Sequence, residues 1–270
     1  MRTRSHGGSG GVPEPAREGA CAPHRFYLLP FTFCLLPFVI EHSLPQQNPS
    51  FVRKTFAAIA DRYDLANHLL SGGMDFLWRK IAARMVAQGK PSRILDLATG
   101  SGDLALALAR NSPQAQIVAA DFCLPMLRIA QGKNVPTLIH ADGLGLPFRE
   151  ASFDVVTVAF GLRNMASWEH ALREIRRVLR PGGMILVMDF SLPAPPLRGP
   201  YRLYLHNVLP RLAAAITGNR EAYEYLGASI ESFPRNQGMR TLMTSAGFTD
   251  VEIRPLCLGV AAINTARRAD

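Results

Sequence analysis

The chain has 270 residues, 48% of them hydrophobic, which suits one sizeable buried core plus an extension rather than a string of domains. Its four cysteines (Cys21, Cys34, Cys123, Cys257) show neither a disulfide framework nor metal-ligand spacing, so no zinc or other metal site is expected and a reducing, cytoplasmic setting fits. The net charge of +9 lies almost wholly beyond the first fifty residues, which hold four Arg against three Glu; without an aromatic-interleaved basic patch or RNA-binding motif, no nucleic-acid partner is expected.

In chain order, residues 1–20 are rich in Gly, Arg and Pro and read as disordered. The apolar run from Phe26 to Ile40 is too short for a spanning helix and contains Pro30 and Pro37. A signal peptide would need a shorter lead and an Ala-x-Ala-like site. Residues 1–49 are therefore read as an extension outside the fold, with a loose membrane-surface anchor as the alternative. From residue 51 to 88 the pattern is helical, broken by Ser71-Gly72-Gly73; Phe56, Ile59 and Tyr63 share a face, and a second helix starts near Met74. Lying before the first strand, this helix pair can form a lid.

Strands and helices then alternate. Strand 93–98 leads to helix 103–110, strand 116–121 to helix 124–131, and strand 137–141 follows. Strand 153–159 leads to helix 167–179, and the turn Arg180-Pro181-Gly182-Gly183 enters strand 184–189. A helical insertion covers about 198–232, with helices from Tyr201 to Leu212 and from Glu221 to Ser232. Helix 237–246 precedes a hairpin of strands 250–256 and 258–265. This predicts an α/β fold with a doubly wound, mostly parallel seven-stranded Rossmann-like sheet, its ligand crevice at the strand C-terminal ends.

The central motif is Ile94-Leu95-Asp96-Leu97-Ala98-Thr99-Gly100-Ser101-Gly102-Asp103. An apolar strand ends in an acid, turns through two glycines and enters a helix, which brings bare backbone close to a ligand. Ala105 stands where a dinucleotide fingerprint has its third glycine, and no Lys follows to make a phosphate loop. Asp96 and Asp103 favour a cationic ligand over a pyrophosphate. Asp121 and Asp142 end the next two apolar runs. The three strand-end acids Asp96, Asp121 and Asp142 suit the ammonium, ribose hydroxyls and adenine of S-adenosylmethionine. A helix-capping role for Asp142 and a nicotinamide dehydrogenase both stay open at this point.

The motif block 95–103, Asp121 with Met126-Leu127, Leu146-Pro147-Phe148, and Arg177 through Gly183 together resemble class I S-adenosylmethionine methyltransferases. More narrowly, Phe160-Gly161-Leu162-Arg163-Asn164 and Tyr223-Glu224-Tyr225-Leu226 with Ser229-Ile230 and Phe233-Pro234 resemble the UbiE/MenG quinone C-methyltransferases. Tyr63-Asp64 with Asn67, and Tyr201 through Pro210, join them. The resemblance spans 51 to about 265 within a methyltransferase domain of 50–270. It implies methylation of a ring carbon of a polyprenylated quinol, demethylmenaquinol or a ubiquinone-pathway benzoquinol. Another lipid or small-molecule methyltransferase is the further alternative.

Position by position, the resemblance implies that Ser101, Asp121, Asp142 and Gly143 contact S-adenosylmethionine, beside Gly100 and Asp96 from the loop. Arg163 is expected to stabilise a quinolate anion and Asn164 to orient a ring oxygen; an ion pair between Arg163 and a lid acid such as Asp64 is the competing reading. Tyr63 would close over the cofactor, and His206 and Tyr201 are candidates for substrate contact or proton transfer. Leu203, Leu205, Val208 and Leu209 could line a prenyl path. Ala159 stands where the family often has a hydroxyl. A lipid substrate implies peripheral membrane contact at an inner membrane surface; homo-oligomerisation is left open.

Overall fold

The computed structural model describes the backbone of residues 49–270 and the side chains in that range except those of residues 59, 61–67, 69–70 and 216–217. The readings made of residues 1–48 and of the side chains of Tyr63, Asp64 and Asn67 lie outside the described residues.

Two helices open the fold, α1 (Pro49–Leu70) and α2 (Met74–Gln88). Then follow β1 (Arg93–Leu97), α3 (Asp103–Asn111), β2 (Gln116–Asp121), α4 (Leu124–Gly132), β3 (Leu138–His140) and β4 (Phe153–Ala159). After a short 3₁₀ turn come α5 (Trp168–Val178) and β5 (Leu179–Phe190). The segment before the last two strands holds α6 (Arg198–Leu203), α7 (Leu209–Thr217), α8 (Arg220–Ser232) and α9 (Gln237–Ser245); β6 (Phe248–Leu256) and β7 (Ala261–Arg268) end the chain.

The seven strands run in the order β3-β2-β1-β4-β5-β7-β6. All neighbours are parallel except β7, which is antiparallel to both β5 and β6. The hairpin comes from the short Cys257–Gly259 connection, which leaves no room for a crossover. β1, β2, β4 and the part of β5 after Gly182 are buried nearly throughout, because helices cover both faces of a parallel sheet. One core joins Leu95, Leu97, Val156, Val158 and Ile185 to α5 and α9 through Leu172, Ile175 and Met243. The other joins Ile94, Ile117, Val155 and Leu186 to α2 and α3 through Trp78, Ala82, Ala105 and Leu108.

The chain winds outward from β1 to β2 and β3, then returns to place β4 on the other side of β1. The gap beyond the C-terminal ends of β1 and β4 is thus the switch point where such sheets bind ligands.

Three local differences from the sequence expectations have physical causes. Leu179 already pairs with Phe153, and pairing resumes at Met184 with Val155, so the expected turn at 180–183 is a bulge inside β5. Gly182 takes φ +70 there. The first hairpin strand starts at Phe248, earlier than expected, and the second runs from Ala261 to Arg268, later at both ends than expected, because the Cys257–Gly259 turn takes up its first residues and β7 pairs with β5 from Ala261 to Arg267. The expected helix from Tyr201 to Leu212 is instead α6, a widened π turn at Tyr204–Val208, and α7. Pro210 explains it: it lacks an N–H, and its ring would press on the preceding turn of a regular helix.

Candidate functional site

The loops after β1 and β4 meet at the switch point. Ala98 and Phe160, the first residues beyond these strands, both have positive φ (55° and 59°), a region that non-glycine residues seldom occupy. Such strain concentrates at functional sites. The approach is close: a Cβ on Gly161 would overlap Ala98 Cβ, and one on Gly102 would overlap Val135. The glycine of the Phe-Gly-Leu-Arg-Asn block is thus explained by the contact between two loops.

A crevice runs across this junction in two parts that share Ala98. One part is lined by Leu97, Asp121, Phe122, Ala141, Asp142, Gly143, Leu144, Asn164 and Met165, with Pro49 of α1 at its edge. The other is lined by Arg79, Asp96, Thr99, Gly100, Ser101, Asp103 and Phe160. Every cofactor residue expected from the sequence (Ser101, Asp121, Asp142, Gly143, Gly100 and Asp96) lies on one part or the other.

Asp121 ends β2 and is buried; its two carboxylate oxygens accept the N–H groups of Gly100 and Cys123, each at 2.8 Å. It thereby ties the Gly loop to the β2 end, and burial pushes its carboxyl up, against these hydrogen bonds. Asp142 is exposed, and its Oδ1 accepts the N–H of Leu144 at 2.9 Å, a turn contact rather than the helix cap weighed as its alternative role, since no helix follows it. Gly143 beside it is buried, and a Cβ there would press on Met165 at 3.1 Å. Ser101 is 4% exposed.

Asp96 is 1% exposed at the crevice wall, accepting hydroxyls from Thr99 at 2.6 Å and Thr157 at 2.7 Å. Burial pushes its carboxyl up to about 6 despite these bonds. The sequence reading gave Asp103 the same role of uncompensated negative charge, and the structure corrects this. Lys133 Nζ donates to Asp103 at 2.6 Å, and Arg79 stands 3.7 Å from its other oxygen. Asp96 is therefore the carboxylate left for a cation on this side.

Behind the crevice lies an apolar cavity that is partly open to solvent. Its walls come from α1 and α2 (Thr55, Phe56, Ser71, Asp75, Arg79), the ends of β4 and β5 (Phe160, Arg163, Phe190), and the helical segment (Tyr201, Tyr204, Leu205, Leu209, Tyr223, Tyr225, Leu226, Ile230). Arg79 and Phe160 border both this cavity and the Gly-loop part of the crevice.

Arg163 is 5% exposed and lines the cavity. Its Nη1 donates to Asp189 Oδ1 and to the Phe160 carbonyl, both at 2.6 Å. Asp189, 1% exposed at the end of β5, also accepts the Phe190 N–H. Arg163 thus pairs with a β5 acid, Asp189, which the sequence reading did not name; the lid acid Asp64 of the competing reading lies outside the described side chains. Burial pushes the Asp189 carboxyl up, against the pull of the Arg163 guanidinium. Arg163 Nε is buried and has no hydrogen-bond partner among the described residues. Asn164 lines the crevice rather than the cavity; its Nδ2 donates to the Phe160 carbonyl at 3.1 Å, and its Oδ1 accepts the Tyr225 hydroxyl at 2.9 Å.

The inserted helices divide differently from expectation. Tyr201 borders the cavity, with its hydroxyl pushed upward by burial. His206 points away, with Nε2 3.1 Å from Glu231 Oε1. Leu205 and Leu209 are buried on the cavity, whereas Leu203 and Val208 face outward, because the widened turn shifts the inner face onto Tyr204, Leu205 and Leu209.

Sequence reasoning missed Arg79, Asp75 and Asp189. Buried Asp75 accepts from Ser71 Oγ at 2.8 Å, contacts His68 Nδ1 at 2.6 Å and pairs with Arg79. Burial opposes ionisation of Asp75, yet these bonds prevail and hold its carboxyl below the usual range. The one sequence signal was the Asp75–Arg79 spacing of four on a helix.

Residues 43–268 match the profile of the ubiE/COQ5 methyltransferase family. A demethylmenaquinone methyltransferase of Thermus thermophilus is 47% identical over 79% of this chain and 99% of its own length. A ubiquinone/menaquinone biosynthesis C-methyltransferase of Syntrophotalea carbinolica is 42% identical over 80% of this chain and 94% of its own. Among solved structures, an S-adenosylmethionine-dependent methyltransferase of Thermotoga maritima superposes with TM-score 0.57, covering 80% of this chain and 99% of its own at 16% identity, a likeness of fold alone.

Proposed function

The chain belongs to the ubiE/COQ5 methyltransferase family, and from that premise we propose how its crevice and cavity methylate a polyprenylated quinol, with demethylmenaquinol as the acceptor. It is an S-adenosylmethionine-dependent quinone C-methyltransferase. The single observation that carries the site assignment is that a polar crevice with a strand-end acid and an apolar cavity share Phe160 and Arg79 in their walls.

The crevice residues fit the cofactor. Asp121 has lone pairs for a ribose diol, and Leu97, Ala98, Phe122, Leu144 and Met165 offer an apolar bed for adenine beside Asp142 and Gly143. At the other end, Asp96 suits the ammonium group and Arg79 the carboxylate, with Gly100 and Ser101 between them. S-adenosylmethionine supplies an electrophilic methyl on a cationic sulfonium; the remaining work belongs to the protein.

That work is to hold an electron-rich ring carbon in line, exclude water and favour the quinolate. Aromatic side chains (Phe160, Phe190, Tyr201, Tyr204, Tyr223, Tyr225) surround the cavity and suit a fused two-ring quinol. A buried donor without a partner calls for an acceptor. Arg163 Nε is such a donor, and we assign a quinol oxygen to it. Asn164, held by Tyr225, sits at the crevice edge to set the angle. Arg163 does not readily lose its proton, so the ring proton leaves by another group or by water. The methyltransferase domain is assigned to residues 50–270, with 198–232 as substrate-covering helices. No helix among the described residues is long and apolar enough to cross a membrane. The prenylated substrate itself calls for peripheral membrane contact, which we assign to this protein.

The test is to incubate the protein with labelled S-adenosylmethionine and short-tailed demethylmenaquinol or a methoxy-polyprenyl-benzoquinol, both reduced. Methylated menaquinol as the preferred product supports the proposal. Preferred benzoquinol methylation overturns the acceptor assignment, and cofactor binding without transfer to either overturns the quinol reading.

A further inference from the structure

The helix run from Arg198 to Thr217 is apolar on two faces. Its inner face, through Tyr201, Leu205 and Leu209, builds the cavity wall. Its outer face carries Leu203, Val208 and Leu212, which are 63%, 42% and 51% exposed, and Leu197 just before it is 45% exposed. The π turn aligns them: Leu203 and Val208 are five apart across a turn that repeats at five, and Leu212 follows four later. An amphipathic helix buries one apolar face and solvates the other; this one leaves a second apolar face uncovered.

The charge carried by the segment itself has one sign. From Ser191 to Arg220 the sequence has Arg198, Arg202, Arg211 and Arg220 and no Asp or Glu. Arg198 and Arg202 also lie close enough to Arg235 to lower its pKa, after the larger effect of burial. Arg202 has an acidic partner, Glu231 at 2.6 Å, while Arg211 donates to the Asn207 carbonyl and Arg198 to the Pro193 carbonyl. The other basic run of the sequence is used within the fold: Arg176 bonds the Gly247 carbonyl, Arg177 pairs with Glu174, and Arg180 pairs with Asp154.

We infer that the outer face of this helix run, Leu197, Leu203, Val208 and Leu212 rimmed by Arg198, Arg202 and Arg211, docks the protein on an anionic lipid bilayer. Apolar side chains enter the acyl boundary while arginines meet headgroup phosphates. The inference rests on the quinol reading in one respect: it sets the cavity wall directly against the phase that holds a prenylated substrate.

The experiment co-sediments the full chain with vesicles of phosphatidylcholine alone and with added phosphatidylglycerol. Its comparison proteins are Leu203→Asp/Leu212→Asp and Arg211→Glu, and methylation of a short-tailed soluble quinol is measured in parallel. The wild type is expected to bind the anionic vesicles, with binding reduced at least tenfold in the double variant and weakened by salt and by Arg211→Glu. Methylation of the soluble quinol should stay unchanged in all three. Absence of wild-type binding, or equal binding by the double variant, overturns the inference. A concentration-dependent dimer that the double variant abolishes, without vesicle binding, assigns the face to a second copy instead. Failure of the soluble assay in the wild type would fault the quinol reading and leave the vesicle result standing separately.

Discussion

Arg163 and Asp189 form a buried ion pair, Nη1 to Oδ1 at 2.6 Å, at the wall of the apolar cavity. Asp189 holds one arm of the guanidinium, and Nε is left without a partner among the described residues. Removing either charge strands the other in the interior, at a cost of about 3–5 kcal/mol. Arg163→Ala and Asp189→Ala should therefore both lower the melting temperature sharply. Arg163→Lys retains the charge and loses the fork. It should fold, bind S-adenosylmethionine like the wild type, and lose roughly 100-fold in kcat, in the range for deleting one anion-stabilising donor. Calorimetry with the cofactor and single-turnover kinetics separate the two effects; unchanged kcat in Arg163→Lys would remove the anion role.

Tyr225 reaches across 61 residues of sequence to donate to Asn164 Oδ1 at 2.9 Å. Tyr225→Phe should cost about 1 kcal/mol of stability, the usual worth of one such bond. If Asn164 sets the ring angle, kcat should fall about tenfold, as expected for about 1.4 kcal/mol of lost transition-state stabilisation, while the cofactor Kd holds. Asn164→Ala combined with Tyr225→Phe should then be no worse than Asn164→Ala alone, and additive losses would show that the bond has no part in positioning.

The fold was legible where the signal is local. Strand-helix alternation, the acid ending β2 and the paired glycines after β1 each depend on neighbours in sequence, and their spacing placed Asp121 and Gly100 on the crevice. Asp189 and Arg79 were not legible in that way. Asp189 is the penultimate residue of an apolar strand, and only the pairing of β4 beside β5 brings it to Arg163, 26 residues away. Asp103 looked like free negative charge because Lys133, 30 residues on, meets it only through folding. Pro210 was the visible clue to the turn that sends Leu203 and Val208 outward, but a proline announces a distortion without specifying its geometry.

Arg79 borders both the Gly-loop crevice and the cavity, and Asp75 and Asp103 flank it. As the assigned partner of the cofactor carboxylate, it contributes one charge-assisted hydrogen bond, about 1.5–3 kcal/mol. Arg79→Gln should raise the Kd for S-adenosylmethionine roughly 10- to 100-fold. A decarboxylated cofactor analogue should bind variant and wild type alike. Equal weakening for both ligands would mean that Arg79 acts only by bracing Asp75.

Asp96 sets a pH dependence with two opposite consequences. Its folded pKa of about 6 stands above the ordinary 3.8 because burial opposes the charge. The stability it contributes is thus fully present below about pH 4 and is lost as pH rises through 6. Its ionised form, the one that meets an ammonium group, appears over the same interval. Cofactor affinity should therefore fall as pH drops below 6, approaching tenfold per unit for a single proton. Asp96→Asn should flatten that profile and weaken binding at pH 8, yet raise the melting temperature of the cofactor-free protein there by removing a buried charge. Titration calorimetry from pH 5 to 8 with thermal melts on the same samples reads both. An unchanged pH profile in Asp96→Asn would place the titrating group elsewhere, with Asp121, also buried and pushed upward, as the next carboxyl to substitute.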